Sequence, residues 1–447
     1  MLHKKESLIL FLGDVVLLGF SFWSAFVLRW FELPQIEDVV LNIPSFFFLI
    51  AVWVLVFFIA GLYDKHTTIF SRKLPTIILY AQAANSVLAM LFFYLIPSFK
   101  ITPKTIVFLY LGISFLYISW WRLYGIGYLG ARRRARALLI GAGEEMRELE
   151  TEINGNPRYS FSFFKTFDLK NGDGVDIGRA AAHAVEHEQT RIIVIDLANE
   201  QVERALPMLY NLLFSRARFV DFNAMYEEVF NRIPVSRIGY QWFLRNVSPS
   251  SHFAYDLLKR VMDISVAGIL ALATLPLYPL VFLAITLDDY GEFFSFQTRV
   301  GRNNEPIRLM KFRTMKFNDG GKWGAGNTNE VTRVGAFLRT TRIDELPQLW
   351  NVLRGDISLI GPRPEFPVPV RHYEQEIPYY SARHIIKPGL SGWAQIYHER
   401  HPHHGVDVKE TTMKLCYDLY YIKNRSLFLD LEIALKTVKI LLSRQGL

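Results

Sequence analysis

Two acids stand side by side in arginine-rich surroundings. Residues 339–350 read Arg-Thr-Thr-Arg-Ile-Asp-Glu-Leu-Pro-Gln-Leu-Trp, and the run continues to Gly361-Pro-Arg-Pro-Glu365. Thr341 is followed three residues later by Asp344, ahead of Leu346, Leu349, Trp350 and Leu353, which has the form of a capping box. The pattern predicts Asp344 and Glu345 in the first turn of a short helix, where backbone N–H groups and the helix dipole favour ionised carboxylates. Arg339 and Arg342 lie beside the pair, and Arg363 sits in a segment whose prolines fix the backbone. Such a pair suits chemistry on phosphate, with one carboxylate attacking phosphorus while the other helps hold a magnesium ion. A capped surface helix whose acids pair with nearby arginines has the same pattern.

Stretches upstream could position this chemistry. Residues 307–315, Ile-Arg-Leu-Met-Lys-Phe-Arg-Thr-Met, alternate basic and apolar types over much of their length, as a strand with one wet face does. Lys311 and Arg313 would then project from one side and could grip a phosphate; a plain solvated strand face fits as well. Residues 318–329 form a glycine-rich loop, either a substrate cover or a surface loop.

The chain of 447 residues has room for about three domains. It is 51% hydrophobic and 15% aromatic, which points to membrane segments. A net charge of +8 fits contact with anionic lipid or phosphorylated ligands, and a nucleic-acid binder would carry the same number. One cysteine, Cys416, excludes an internal disulfide framework and a multi-thiolate zinc site. Apolar runs at 7–28, 43–62, 75–99 and 105–121 each approach the roughly 20 residues that cross a bilayer. The first lacks a small-residue cleavage pattern and reads as a retained helix, with Asp14 facing another helix or lying near an end. Lys4 and Lys5, then Lys65, Arg72 and Lys73, then Arg132, Arg133, Arg134 and Arg136 place both the N-terminus and everything beyond Trp121 in the cytoplasm. Lys100 and Lys104 in the third loop are a mild dissent.

From Arg136 the pattern changes. Short apolar strands at 137–140, 163–167, 191–196 and 218–222 alternate with helical stretches at 144–153, 177–188 and 200–214, which implies a small parallel α/β module. Its first turn, Gly141-Ala142-Gly143-Glu144-Glu145-Met146, has two glycines of a dinucleotide fingerprint but Met146 where the third should be. Asp168 falls where a ribose-binding acid would, yet Glu144 and Glu145 would repel a pyrophosphate. The module is therefore read as regulatory or dimerising, with no bound cofactor expected. Residues 232–252 read as an irregular link. A fifth apolar run, 261–287, is interrupted by Pro276 and Pro279, so it either spans the membrane or turns at the break and returns.

Four motifs carry a resemblance: Lys311-Phe-Arg-Thr-Met; Arg339 with Asp344-Glu345-Leu-Pro-Gln-Leu-Trp-Asn-Val-Leu-Arg-Gly-Asp356; Gly361-Pro-Arg-Pro-Glu365; and Lys387-Pro-Gly-Leu-Ser-Gly-Trp-Ala-Gln395. From about Tyr255 to the C-terminus the chain resembles the bacterial sugar transferases, the monotopic phosphoglycosyl transferases that act on polyprenyl phosphates. The resemblance implies a membrane α/β protein in three parts: a four-helix transmembrane bundle (1–130), a Rossmann-like parallel α/β module (131–250) and a monotopic catalytic domain (251–447) whose re-entrant helix, 257–287, breaks at Pro276. It implies that Asp344 attacks the sugar-linked phosphorus of a UDP-sugar, usually UDP-glucose or UDP-galactose in the large form. UMP is released, and the sugar phosphate then passes to undecaprenyl phosphate, the opening membrane step of exopolysaccharide, capsule or O-antigen assembly. Glu345 matches the acid assigned to magnesium, Mg2+, with Asp344 beside it. Lys311, Arg339 and Arg363 match basic residues of the family's site. Since the nucleotide sugar is cytoplasmic, the soluble parts should face the cytoplasm from the bacterial inner membrane. The lipid bilayer is then a partner and nucleic acid is not. Tyr290-Gly291-Glu292, where many members have Pro-Gly-Pro, is a departure at the turn after the membrane helix.

Two competing readings are a non-catalytic membrane scaffold for polysaccharide assembly and a dinucleotide-dependent sugar-modifying enzyme. The intact acid pair weighs against the first; the broken fingerprint and the lack of a Tyr-x-x-x-Lys in the module weigh against the second. The histidine-dense segment 398–404 lacks helical zinc spacing and reads as a loop near the substrate or membrane. Residues 415–421 and 428–442 read as amphipathic helices that suit the membrane interface or an ordinary core.

Overall fold

The computed structural model describes residues 2–32, 36–63, 74–95, 105–125, 134–156, 159, 161–169, 177–188, 190–197, 199–214, 217–247, 253–316, 330–397 and 407–443. The glycine-rich loop 318–329 and the histidine-dense segment 398–404 lie outside the described residues. The chain folds as two compact units, Met1–Arg134 and Ala135–Leu447.

The first unit contains helices α1 (Leu2–Trp30), α2 (Ile36–Ile59), α3 (Leu74–Leu95) and α4 (Thr105–Trp120), the last running into a π-helical turn, Trp121–Gly125. The helices pack on one another around Leu18, Phe22, Trp53, Phe57 and Tyr110, with the Trp53 and Tyr110 rings stacked at 4.6 Å. Apolar side chains also face outward, including Phe47, Phe48, Leu79, Tyr80 and Leu116. Helices apolar all round belong in lipid or in a large core. Among the described residues Leu8–Trp30 and Pro75–Phe92 are long and apolar enough to cross a membrane. Asp14 meets Arg122, and both are fully buried. Tyr63 donates to Asp14 at 2.8 Å, and Arg122 also donates to the Leu62 carbonyl at 2.6 Å. The acid expected to face another helix does so, against a cation that the apolar run-count passed over.

The second unit opens with a four-stranded parallel sheet, β1 (Ala135–Gly141), β2 (Phe161–Asp168), β3 (Ile192–Ile195) and β4 (Arg218–Asp221), in the order β2-β1-β3-β4. Helices α5 (Glu144–Gly155), α6 (Ile177–His187), α7 (Glu200–Asn211) and α8 (Phe222–Phe230) cover it. Ala137 and Leu139 pack with Met146, Leu149 and Phe222 on one face, whereas Leu138 and Ile140 pack with Ala181, Ile193 and Val202 on the other. The alternation is the two-residue period of a strand buried on both sides. Met146, in place of the third fingerprint glycine, is buried, its sulfur 3.4 Å from where a Gly141 Cβ would stand. At the same sheet end Arg237 forms an ion pair with Asp196, and Ser236 donates to Glu145.

The stretch expected to be irregular is ordered over 232–247: it holds a 3-10 turn, Val235–Arg237, and helix α9 (Tyr240–Asn246). Ile233, Val235 and Ile238 enter the same core as Tyr373, Trp393, Leu415 and Leu419, so this segment packs as part of the C-terminal body. Beyond it, α10 (Phe253–Thr274) and α11 (Leu277–Asp289) form a pair bent by 58° at Pro276. The second proline, Pro279, falls in the first turn of α11, where a missing N–H costs least.

Strands β5 (Phe294–Val300) and β6 (Pro306–Phe312) form an antiparallel hairpin, followed by α12 (Arg333–Thr340) and α13 (Gln348–Arg354). Strand β7 (Ser358–Ile360) pairs in parallel with β8 (Gly389–Ser391), with α14 (Pro367–Glu376) between them. Helices α15 (Trp393–Tyr397), α16 (Val408–Asn424) and α17 (Leu427–Ser443) close the chain. Helix α16 is a core helix, with Leu415, Leu419 and Tyr421 buried. Helix α17 buries Leu429 and Ile433 but exposes Phe428 and Leu431.

Candidate active site

The acid pair sits in a corner rather than on a helix. Thr341 does not cap a following helix: its hydroxyl donates back to the carbonyls of Phe337 at 2.8 Å and Leu338 at 3.2 Å, closing α12. Arg342 then takes a left-handed conformation, φ 57°, which reverses the chain. Asp344 and Glu345 follow in a single 3-10 turn, Ile343–Glu345, and α13 begins only after Pro347. The expected capping box is thus overturned, and with it the expectation that helix N–H groups ionise both acids.

Burial and the nearby cations shift the two acids in opposite directions. Lys311 Nζ donates to Glu345 Oε1 at 2.9 Å and lies 3.9 Å from Asp344 Oδ2. Arg363 Nη2 donates to the same Glu345 oxygen at 3.3 Å, and Arg342 Nη1 is 3.8 Å from Oε2. Burial opposes the Glu345 charge, but Lys311, Arg363 and Arg342 outweigh it and hold the carboxyl below its usual range. For Asp344 burial dominates, and the Glu345 charge adds to it. Together they hold its carboxyl above the ordinary value despite Lys311, Arg339 and Arg342. Asp344 is buried, and its Oδ1 has no hydrogen-bond partner among the described residues. An unsolvated carboxylate oxygen of this kind is a reactive group or a ligand, since otherwise it is merely a penalty.

Each remaining side chain has a visible support. Lys311 leaves β6 beside Leu309 and Phe312, both buried. The strand is clamped to α13 by Asn351, whose side chain accepts from the Met310 N–H at 3.0 Å and donates to the Arg308 carbonyl at 2.9 Å. Arg339 stays near the acids because its Nε donates to Thr314 Oγ1 at 2.9 Å. Arg363 is held through its own carbonyl, which accepts from Arg383 Nη2 at 3.1 Å. Arg383 in turn pairs with Asp418 at 2.8 Å, both buried. Burial pushes the Asp418 carboxyl up to about 6, with Arg383 opposing.

Arg313, expected beside Lys311, is not at the pair. It is buried and donates to the carbonyls of Glu292 and of Lys316, the latter at 3.0 Å, tying down the turn that leaves α11. The strand ends at Phe312, so the alternation that would have aimed both cations one way stops short. The same guanidinium lies 2.1 Å from where a Gly291 Cβ would stand, which explains a glycine at that turn. Pro276 marks the helix break and belongs to the bent, apolar pair α10 and α11 rather than to the acid cluster.

Thr314, Asn351, Arg383 and Asp418 are the supports that sequence reasoning missed. Thr314 and Asn351 lie within quoted motifs, but nothing in the spacing of Arg383 and Asp418 singles them out. An apolar groove of about 450 Å³ is lined by Leu280, Val281, Ala284, Phe337, Leu338 and Ile343, the last being the neighbour of Asp344. Among the described residues no three His, Cys, Asp or Glu side chains gather as a metal cage. The two adjacent carboxylates nonetheless suit a hard divalent ion such as magnesium, which takes one or two protein carboxylates and completes its shell with water and phosphate oxygens.

Residues 254–444 match the bacterial sugar transferase family. The chain is 43% identical over 206 residues to a UDP-N-acetylgalactosamine-undecaprenyl-phosphate N-acetylgalactosaminephosphotransferase of Aeromonas hydrophila, covering 45% of this chain and 47% of that protein. It is 34% identical over 320 residues to an undecaprenyl-phosphate glucose phosphotransferase of Komagataeibacter xylinus, covering 69% and 59%. It is 41% identical over 203 residues to a UDP-glucose:undecaprenyl-phosphate glucose-1-phosphate transferase of Caulobacter vibrioides, covering 45% and 75%. The match thus spans about half the length of the Aeromonas relative and three quarters of the Caulobacter one. On these matches, the chain belongs to the bacterial sugar transferase family.

Proposed function

We propose that the protein transfers a sugar 1-phosphate from a UDP-sugar to undecaprenyl phosphate, with Asp344 as the nucleophile. The observation that carries this reading is the buried Asp344 Oδ1, without a hydrogen-bond partner among the described residues, beside a Glu345 whose Oε1 accepts from both Lys311 and Arg363. Asp344 Oδ1 attacks the phosphorus that bears the sugar. A P–O bond forms, the bond to the bridging oxygen breaks, and UMP leaves with the electron pair. An oxygen of undecaprenyl phosphate then attacks the same phosphorus, breaking its bond to Asp344 and returning the carboxylate. Lys311, Arg339, Arg342 and Arg363 hold phosphate oxygens and offset the charge that builds on them. Glu345, with Asp344, would hold magnesium, which supplies positive charge at the phosphates. The apolar groove lined in part by Ile343 suits the polyprenyl chain of the acceptor.

The domain division 1–130, 131–250 and 251–447 belongs to the same proposal. So do four spanning helices in the inner membrane, a re-entrant course for the pair bent at Pro276, and a regulatory or dimerising α/β module. The exposed apolar face of α10 and α11, with Leu272, Leu280 and Leu287, supports lipid contact. Glucose, galactose and N-acetylgalactosamine are the candidate sugars, and the pathway is exopolysaccharide, capsule or O-antigen synthesis.

The test is UMP release by the full chain in nanodiscs, with magnesium, undecaprenyl phosphate and each UDP-sugar in turn. The expected outcome is UMP with one sugar, lost in Asp344→Asn, and a phosphosugar adduct on intact wild-type protein. Folded protein that releases no UMP with any sugar overturns the reading in favour of a scaffold.

A further inference from the structure

A second cluster of cations lies at the other end of α13 from the acid pair. There a pocket of about 200 Å³ is lined by Lys259, Arg260, Asp263, Arg302, Lys387 and Arg425 among others. Part of this charge is already used. Lys259 donates to Asp430 at 2.9 Å, Arg425 lies 3.6 Å from Asp256, and Asp263 accepts from Ser358 Oγ and the Leu359 N–H. Arg260 donates to the carbonyls of Val352 and Leu353 at 2.7 Å each, at the C-terminal end of α13. The side chains of Lys387 and Arg302 are left over, with no hydrogen bond or ion pair to a described residue.

Three cations converge here. Arg260 Nη2 and Lys387 Nζ both stand 3.3 Å from the point a Gly355 Cβ would occupy, and Gly355 takes φ 94°, a conformation that favours glycine. Burial, then the charges of Arg260 and Arg302, hold the Lys387 ammonium below its usual range, although Asp263 and Asp356 act the other way. Like charges gathered in a concave site are stabilised by an anion that fills it.

The position on α10 indicates where that anion comes from. Asp256, Lys259, Arg260 and Asp263 line the pocket, while Leu257, Leu258, Val261 and Ile264 of the same turns are exposed apolar side chains. One face of these turns therefore suits lipid while the other opens on cations, as at the headgroup level of a bilayer. We propose that this pocket is a phosphate-ester site, separate from the acid pair, in which Lys387, Arg302 and Arg260 hold the phosphoryl group of a lipid headgroup or a free phosphate.

The test is amine-reactive labelling of the full chain, read by peptide mass spectrometry at Lys387, with exposed Lys409 as the reference. Three states are compared: phosphate-free detergent, the same detergent with inorganic phosphate, and phosphatidylglycerol nanodiscs. Occupancy is expected to lower Lys387 labelling about fivefold while Lys409 is unchanged, the factor expected for one cation engaging an anionic headgroup. Protection in nanodiscs alone assigns a lipid headgroup, and protection by inorganic phosphate assigns the free ion. Either result should be at least halved in Arg302→Gln, an exposed position whose substitution leaves the core intact. Equal Lys387 labelling in all three states overturns the proposal. So does nanodisc protection undiminished in Arg302→Gln, which would be shielding by the bilayer alone.

Discussion

Replacing Lys311 by methionine isolates the electrostatic part of the mechanism. The ammonium is 3.9 Å from Asp344 Oδ2 and 2.9 Å from Glu345 Oε1, so its loss leaves two neighbouring acids with only arginines to separate their charges. At the effective dielectric of about 20 that describes such sites, the 3.9 Å contact alone represents about 4 kcal/mol of gross attraction for the ionised Asp344. Arg339 and Arg342 offset part of that loss. Burial already holds the Asp344 carboxyl above its usual range, and Lys311→Met pushes it further in the same direction. The nucleophile is the ionised form. The acidic limb of the UMP-release profile therefore moves to higher pH, by at least about one unit if only a third of the gross energy survives. Stability changes with the same sign. A carboxyl whose folded pKa is raised supports the fold while protonated and loses that contribution as pH rises through its folded value. The thermal midpoint of Lys311→Met should thus fall relative to wild type as pH rises above the ordinary aspartate value. The assay is UMP release across pH at saturating UDP-sugar, run beside thermal unfolding in the same buffers. A limb that stays in place in a folded variant refutes the reasoning, because it would mean that the Lys311 charge does not govern Asp344.

Two further outcomes follow from the same geometry. Asp344→Asn removes a buried carboxylate whose Oδ1 has no hydrogen-bond partner among the described residues and whose Oδ2 meets Lys311 only at 3.9 Å, and should raise the thermal midpoint at neutral pH while abolishing UMP release; a lower midpoint would mean that the Lys311 pairing outweighs the burial of the charge. If the 58° pair returns to its side of entry, a Tyr290→Cys thiol should react with an impermeant reagent only from the membrane face that carries the acid pair, against the background of buried Cys416.

Elements defined by short-range physics were legible in the chain. The alternating strands and helices of the α/β module appear close to where their apolar periods place them, with 163–167 observed as Phe161–Asp168 and 144–153 as Glu144–Gly155. The break at Pro276 was equally legible, since a proline acts on its own backbone. The motifs that carry Lys311, Asp344, Glu345 and Arg363 named the side chains that the structure brings together. What the chain did not disclose depends on partners distant in sequence. Whether Thr341 opens one helix or closes another was decided by the left-handed turn at Arg342. Arg313 turned away because backbone carbonyls from two loops converge on it, which no alternation encodes. Asp14 required Arg122, and the hold on Arg363 required Arg383 and Asp418. Sequence determines local conformation and the supply of charges; only packing decides which charges lose their water and which partners they meet, and that decides their chemistry.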